Sequence, residues 1–194
     1  MGSVVLHVSM SLDGFVAGPR PRKEQPLGEG GERLHEWMFA KSVDPGDARV
    51  AAEMFSTATV GAVVMGRTTF SCGEALWGED GTYRMPCFVV THRPAETLVR
   101  GPTRFTFVTE GIQRALEQAK EAAAGKDVNV MGADTAQQLL RAGLLDAIQL
   151  NLVPVLLGEG VRLFEGLGTD RVELALTRVV ASPRVTHLMH RVLR

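Results

Sequence analysis

Short apolar runs, each ending in glycine or polar residues, recur along the first two thirds of the chain. Residues 62–65 and 128–131 are two such runs, and residues 4–9, 87–90 and 104–109 are similarly rich in β-branched and aromatic side chains. A short apolar run bounded by turn-forming residues is typical of a strand covered on both faces, and such strands belong to parallel sheets. The pattern therefore predicts five buried strands.

A helical period lies between these runs. In residues 112–123 apolar side chains recur every three or four positions opposite charged ones, which predicts an amphipathic helix that ends at Gly125. Weaker patterns predict further helices over residues 32–41, over 47–56, just after 68 and up to 142. Asp134 and Gln137 match a capping box for the last of these.

The last quarter of the chain is β-rich throughout. Residues 147–155, 171–180 and 185–193 predict strands, and the last two are separated by only enough chain for a tight connection. We therefore predict an α/β fold, a single domain over residues 1–194, in which a mixed, mainly parallel sheet has an antiparallel edge formed by its C-terminal strands.

Residues 19–31 follow no apolar period. Proline and glycine are frequent there, and Arg22 and Lys23 stand among turn-forming residues. Long loops inside compact domains are usually lids or binding loops, so we expect this one beside a ligand. A solvated insertion is the alternative.

Composition narrows the range of functions. Of 194 residues 45% are hydrophobic and 22% charged, as in globular proteins, and a net charge of -1 argues against binding nucleic acid by general phosphate attraction. The most apolar segment, residues 150–157, is too short to span a bilayer. Cys72 and Cys87 lack metal-binding spacing, and His187 and His190 would point to opposite faces of a strand. We expect no metal site and a reducing, cytoplasmic location.

Three predicted strands end in groups that could bind an anion. The ends are Gly66-Arg67-Thr68-Thr69, Thr91-His92-Arg93 and Gly132-Ala133-Asp134-Thr135. Ligands of open α/β sheets bind at the carboxyl ends of strands, and two of these ends begin helices, whose first N–H groups attract anions. Arg67 adds a forked donor suited to phosphate, although an ordinary turn with a surface arginine would have the same sequence. The segment around Arg93 contains a cation and no acid, which favours NADP over NAD.

Five blocks, in this order along the chain, carry a resemblance to a known family. They are SLDGFVAG (11–18), VMGRTTF (64–70), VTHRP (90–94), VMGADTAQQLL (130–140) and PVLLGEG (154–160). With them the sequence resembles the dihydrofolate reductase-like superfamily, in the branch of the riboflavin-biosynthesis reductase, the C-terminal domain of the bacterial deaminase-reductase. The resemblance implies a three-layer α/β/α fold around the mixed sheet.

The same resemblance implies NADPH as cofactor and hydride transfer to a C=N or C=O carbon of a small heterocycle. It implies cofactor phosphates at Gly66, Arg67, Thr68 and Thr69, an adenosine 2'-phosphate at Thr91, His92 and Arg93, a second glycine turn at Gly132, Ala133, Asp134, Thr135 and Ala136, and the nicotinamide beside Met10, Ala17 and Gly18. It also implies a homodimer formed through residues 171–193.

The substrate side has fewer sequence markers. We predict catalytic carboxyls at Asp13, in the first loop, and Glu36, on the helix that follows; turn stabilisation is the alternative for Asp13, and Glu32 is the alternative to Glu36. Trp37 and Phe39 are predicted to stack on a planar substrate, and burial in the core is the alternative.

Two departures from the resembled branch leave the substrate open. Met131 precedes Gly132 where the riboflavin enzymes carry a substrate-binding acid, and the zinc deaminase signature is missing. The sequence therefore predicts an NADPH-dependent reductase of a pterin-like or pyrimidine-like heterocycle. A nucleotide-binding module without turnover and an oxidoreductase that uses flavin or deazaflavin are the alternatives.

Overall fold

A computed structural model describes residues 2–40, 42–74, 76–168 and 171–193. The strands are β1 (Val4–Ser11), β2 (Phe15–Ala17), β3 (Val60–Gly66), β4 (Pro86–Val90), β5 (Leu98–Arg100), β6 (Thr103–Val108), β7 (Asp127–Met131), β8 (Ala147–Val153), β9 (Val161–Arg162), β10 (Leu174–Ala181) and β11 (Thr186–Val192). The helices are a 3₁₀-helix (Gly31–Leu34), α1 (Glu36–Phe39), α2 (Pro45–Met54), α3 (Arg67–Gly73), α4 (Ile112–Ala123) and α5 (Ala133–Arg141).

Nine strands form one sheet in the order β10-β11-β8-β1-β7-β3-β4-β6-β5. The strands from β8 to β6 are parallel to one another, and β11 and β10 run antiparallel at the C-terminal edge. The predicted mixed, mainly parallel sheet with an antiparallel C-terminal edge is confirmed. The short β5 adds an antiparallel strand at the other edge, and β2 and β9 form a separate two-stranded sheet.

Helices cover both faces of the sheet, which confirms the predicted three-layer arrangement. On one face α4 packs on β3 and β4 and buries Ala115, Leu116 and Ala119, while α5 lies beside it over β3 and β7. On the other face two smaller cores form, one around Phe70 beneath α3 and one around Trp37 beneath α1 and α2. The carboxyl ends of the parallel strands lie together at one edge of the sheet, which these helices do not cover.

The helix predicted over residues 32–41 is wrong in form. The chain makes a 3₁₀-helix, turns at His35 (φ -117°, ψ -1°) and continues as the four-residue α1. Leu34 and Trp37 are both fully buried. A spacing of three residues fits a 3₁₀ turn as well as an α turn, so the apolar pattern could not distinguish them. Lys41 lies outside the described residues.

The capping box predicted for α5 is also wrong. The helix begins at Ala133, and its N-cap is Gly132 at φ +93°. Asp134 instead accepts a hydrogen bond from Nε2 of Gln138 (2.7 Å), and Nε2 of Gln137 donates to the carbonyl of Leu163 (3.0 Å). Because the glycine turn starts the helix before Asp134, this side chain lies in the first turn and cannot cap it.

Candidate active site

Most of the residues predicted to bind a cofactor lie at one edge of the sheet. Met10 and the residues of the three turns end or follow β1, β7, β3 and β4, which are parallel neighbours in this order. Ala17 ends β2 and Gly18 follows it, outside this sheet. Neighbouring strands are about 4.8 Å apart, so four adjacent strand ends extend over about 14 Å. The fold therefore brings together segments that are far apart in the sequence.

Two glycine turns face each other in the middle of this edge. A Cβ atom on Gly132 would lie 2.5 Å from Oγ1 of Thr69, and a Cβ atom on Gly66 would lie 3.1 Å from Oγ1 of Thr135. Among the described residues no side chain caps the N-terminus of α3 or of α5. The first N–H groups of α5 are thus not used by a capping side chain, and a helix N-terminus of this kind suits an anion.

The residues of these turns differ in what they can offer a ligand. Arg67, Thr68 and Asp134 are exposed, whereas Thr135 is buried and could contribute only its backbone. The N–H of Ala136 already donates to the carbonyl of Gly132 (3.1 Å), and its side chain is fully buried. The structure therefore does not support the prediction that Ala136 contacts a cofactor directly.

Thr91 shapes the turn after β4. Its Oγ1 accepts a hydrogen bond from the Arg93 N–H (3.1 Å) and donates to the Arg93 carbonyl (3.3 Å), and its own N–H donates to the Val108 carbonyl (3.0 Å). Thr91 is buried, while His92 and Arg93 are exposed. Thr91 thus orders the backbone that presents two polar side chains at the edge.

Arg67 is oriented by aromatic rings. Its guanidinium carbon lies 5.4 Å from the ring centroid of Phe70 and 5.0 Å from that of Phe107, which is near the end of β6. Cation–π contacts of this kind hold the planar guanidinium in place. The N–H donors around the edge of the guanidinium stay available for an oxyanion.

A cavity of about 440 Å³ lies between α3 and the loop that follows β2. It is lined by Arg22, Lys23, Arg67, Thr68, Ser71, Cys72 and Glu74. The carboxylate of Glu74 pairs with Arg100 (2.8 Å), so the three cations leave the lining positive. The sequence predicted that the loop carrying Arg22 and Lys23 lies beside a ligand, but it assigned no role to Ser71 or Cys72. Residues three or four positions apart lie on one face of a helix, so the spacing of residues 67, 68, 71 and 72 indicates that they share a face of α3.

The loop beside this cavity folds back on itself. The N–H of Gly18 donates to the Leu27 carbonyl (2.8 Å), the N–H of Glu29 donates to the Pro19 carbonyl (3.1 Å), and the carboxylate of Glu29 pairs with Arg20 (2.7 Å). A Cβ atom on Gly18 would overlap the Glu29 carbonyl, so only glycine permits this approach. The hairpin-like loop carries its tip, with Arg22 and Lys23, to α3.

The carboxylate of Asp13 links the turn after β1 to the segment after β8 by hydrogen bonds. Oδ1 accepts hydrogen bonds from Oγ of Ser11 (2.6 Å) and the N–H of Leu157 (3.1 Å), and Oδ2 accepts one from the N–H of Gly158 (2.7 Å). These bonds, first the one from Ser11, lower the pKa of Asp13 to about 2. Both oxygens of this carboxylate are thus engaged by groups that shape the turn. The geometry favours the turn-stabilising alternative over the predicted catalytic role.

The other residues predicted for the substrate side lie in different surroundings. Glu36 is half-exposed and pairs with Arg33 at 3.5 Å. Trp37 is fully buried and donates from Nε1 to Oγ of Ser9 (3.0 Å), so its ring has no open face for a substrate. Phe39 is 79% exposed. The structure does not bring Trp37 and Phe39 together as the walls of one pocket.

Within the described ranges of the chain, no cluster of three or more histidine, cysteine, aspartate or glutamate side chains could hold a metal ion. No helix in that part of the chain has the length and apolar character needed to cross a bilayer.

Comparison with known proteins places this geometry in context. The model of the RibD C-terminal domain family matches residues 3–188. None of the curated proteins compared with the chain matches it significantly.

Solved structures share the fold. A protein from Shewanella sp. PV-4, provisionally assigned to riboflavin biosynthesis, is 22% identical with a TM-score of 0.75 over 99% of each chain. A pyrimidine reductase-like protein from Corynebacterium diphtheriae is 14% identical (TM-score 0.65, 100% of this chain and 92% of that one). Dihydrofolate reductase from Enterococcus faecalis, complexed with NADP(H), is 15% identical (TM-score 0.60, 98% and 96%). These similarities confirm the predicted dihydrofolate reductase-like fold.

Proposed function

Because the chain belongs to the RibD C-terminal domain family, we propose that it is an NADPH-dependent reductase that transfers hydride to a small pyrimidine-like or pterin-like heterocycle. The observation that carries the proposal is the pair of facing glycine turns at Gly66 and Gly132, beside the exposed Arg67, His92 and Arg93. Such a set fits the phosphates of a dinucleotide.

Different residues at this edge would bind different parts of the cofactor. The first-turn N–H groups of α5 and the hydroxyl of Thr68 would hold the pyrophosphate. His92 and Arg93, with Arg67 on the neighbouring strand end, would hold the 2'-phosphate that distinguishes NADPH from NADH. The dihydrofolate reductase of the same fold was solved with NADP(H). When bound, NADPH supplies the hydride, and the protein's part is to orient the partners and exclude water.

The cavity between α3 and the 19–30 loop shares Arg67 and Thr68 with the proposed phosphate site. Arg22, Lys23 and Arg67 make its lining positive, so we propose that it receives an anionic group such as a phosphate of the cofactor. The substrate ring would lie next to the nicotinamide, which the resemblance puts beside Met10, Ala17 and Gly18. One protein of the same fold is described as pyrimidine reductase-like, in line with a pyrimidine ring.

Glu36 is the proposed proton donor. Asp13 is a poor candidate because both of its carboxylate oxygens accept hydrogen bonds from Ser11 and two backbone N–H groups. Glu36→Gln should lower kcat by about 10²-fold or more with little change in KM, as expected for a general acid. Glu32→Gln, on the preceding 3₁₀-helix, is the comparison that separates the two carboxyls.

The test of turnover is the loss of absorbance of the reduced nicotinamide. The full chain is mixed with NADPH and a panel of pyrimidines, pterins and quinones, and the proposal expects oxidation with a ring of the first two classes. Binding of NADPH without oxidation by any compound would favour the nucleotide-binding module. A purified protein that is yellow and retains a flavin or deazaflavin would favour the third possibility.

The proposal includes the assembly and location of the protein. We propose a homodimer formed through β10, where Leu174, Leu176 and Val179 are 40%, 56% and 51% exposed. Cys72 and Cys87 are both free thiols, which supports a reducing, cytoplasmic environment.

A further inference from the structure

Polar side chains lie buried between the sheet and α2. His187 on β11 and Asn151 on β8 are register partners and face α2, which contributes Asp47. Nδ1 of His187 lies 2.7 Å from Oδ1 of Asn151, and Nε2 lies 3.1 Å from Oδ1 of Asp47. Asp47 and Asn151 are fully buried, and His187 is 3% exposed. Such a cluster is costly to bury unless every group is satisfied.

The protonation of the His187 ring decides whether every polar group of this cluster has a hydrogen-bond partner. Both ring nitrogens of His187 face acceptor oxygens, and a neutral imidazole has one N–H, so only the protonated ring can donate to both. The neutral ring needs the amide nitrogen of Asn151 at Nδ1 instead. Within the described residues, the hydrogen-bond acceptor of that nitrogen is Sδ of Met54, at 3.9 Å, which is a weak acceptor. Reversing the amide therefore breaks little, and the cluster has two arrangements.

Charged groups approach this ring from several elements. Asp47 is also bound by Oγ of Ser182 (2.9 Å), Asp44 precedes α2, and Arg178 on β10 pairs with Glu53 of α2 (2.6 Å). His7 on β1 points to the same face of the sheet, two strands away. Burial lowers the pKa of His187, and the carboxylate of Asp47 opposes this shift. The ring is therefore neutral at neutral pH and takes up its proton under acidic conditions.

Trp37 connects the cluster to β1 and the turn that follows it. Its ring lies edge-on to that of His187, with centroids 4.8 Å apart and planes at 72°. Its Nε1 donates to Oγ of Ser9, two residues before Ser11, and Oγ of Ser11 accepts the N–H of Phe15 (2.9 Å) and donates to Asp13. A change at His187 is thus next to the side chain that ties α1 to β1.

We propose that Asp47, His187 and Asn151 form a proton-dependent latch that holds the α1–α2 layer on the sheet and sets the position of Trp37 beside β1. Its two states differ in the charge of the His187 ring and in the direction of the Asn151 amide. The latch does not depend on the proposed reductase activity, because it is argued only from contacts among groups of this chain.

Trp37 provides a direct reporter of the latch. The chain has two tryptophans, so Trp77→Phe leaves Trp37 as the only indole. A cation beside an indole interacts with its π system and changes its emission. We expect a sigmoidal change in Trp37 emission as pH falls, with a midpoint below the ordinary histidine value of 6.5, while circular dichroism shows that the chain stays folded.

Three further variants in this background identify the group that titrates. His187→Asn should remove the transition. Asp47→Asn should move its midpoint to lower pH by about one unit or more, because the carboxylate favours the charged ring. His190→Asn, on the opposite face of the same strand, should leave it unchanged. Emission that does not vary with pH in the folded protein, or a transition that survives in His187→Asn, would overturn the proposal.

A measurement on the unmodified chain covers the case in which a variant does not fold. Nitrogen-15 NMR of the five histidine rings reports the protonation of each one. We expect the ring of His187 to be neutral at pH 7.5 and to take up a proton before the chain unfolds. A ring that stays neutral until acid unfolding, or one charged over the whole range, would contradict the latch.

Discussion

Gly132 and Thr69 meet where β7 passes into α5, and a Cβ atom on Gly132 would lie 2.5 Å from Oγ1 of Thr69. Gly132 also has φ +93°, which side chains rarely adopt. Two independent constraints therefore keep this position free of a side chain. The backbone N–H groups that follow are those proposed to bind the pyrophosphate.

Gly132→Ala should be strongly destabilising and should weaken NADPH binding. The backbone strain costs about 1–3 kcal/mol, and relieving the overlap with Thr69 costs about 1–3 kcal/mol more. Urea unfolding measures the loss of stability, and isothermal titration calorimetry with NADPH measures the loss of affinity.

Gly111→Ala is the matched control for this variant. Gly111 is the N-cap of α4 at φ +94°, and no described atom would lie within 4 Å of a Cβ atom there. The Gly111→Ala variant should be destabilised only by the backbone strain, and its affinity for NADPH should not change. Equal losses of stability and affinity in the two variants would mean that the contact with Thr69 has no special role.

Arg93→Ala should weaken NADPH binding and leave NADH binding unchanged. Arg93 is exposed at the end of β4, and its proposed partner is the 2'-phosphate that NADH lacks. A charge-assisted hydrogen bond contributes about 1.5–3 kcal/mol, so the Kd for NADPH should rise about 10- to 100-fold. Arg104→Ala is the control, because Arg104 pairs with Pro86 at the opposite edge of the sheet. A similar loss for both cofactors in Arg93→Ala would contradict the assignment.

The protein should lose stability as the pH falls below about 6.5. Burial lowers the pKa of His7 and of His35 from 6.5 to about 4. Between these values the unfolded chain binds more protons than the folded one, so the free energy of unfolding decreases with falling pH. Each histidine accounts for about 3 kcal/mol over the full range. Urea unfolding at a series of pH values gives the slope.

Replacing one of these histidines should flatten that slope. In His7→Gln the stability lost between pH 7 and pH 5 should be smaller than in the unmodified chain by about 2 kcal/mol. His92→Gln should keep the original slope, because His92 is exposed in the folded chain. An unchanged slope in His7→Gln would show that His7 is not buried in its neutral form.

A charge on β10 should separate the proposed homodimer. Leu176 is 56% exposed on β10, where Leu174 and Val179 are also exposed in the single chain. Leu176→Lys should convert the dimer to a monomer of 21.0 kDa in light scattering, because an unpaired charge cannot be buried in an apolar interface. Thr177→Lys, at the bulge of the same strand, is a comparison of equal charge. An unmodified chain that is already monomeric at micromolar concentration would contradict the dimer.

Local patterns predicted much of the fold because they report burial directly. Residues 112–123 alternate apolar and charged side chains with a helical period, and α4 has those bounds. The apolar runs at β3, β4 and β7 marked strands buried on both faces. The strands β2, β5 and β9 have only two or three residues, too few to show a period. The single domain over residues 1–194 stays a prediction.

The candidate site could be predicted only where its residues share a strand end. Parallel strands bring their carboxyl ends to one edge, so Arg67, Arg93 and Gly132 could be grouped without tertiary information. The anchoring of Asp13 by Leu157 depends on a contact between residues 144 positions apart. The cavity likewise depends on where the loop carrying Lys23 folds back, and the burial of Trp37 depends on packing against β11. No local pattern encodes such contacts.

Parallel calorimetric titrations of the full chain with NADPH and with NADH test the central claim most directly. The account predicts that NADPH binds at one site per chain and at least about tenfold more tightly than NADH, because Arg67, His92 and Arg93 are the proposed partners of the 2'-phosphate. Equal affinity for the two cofactors, or no heat of binding with either, would contradict it.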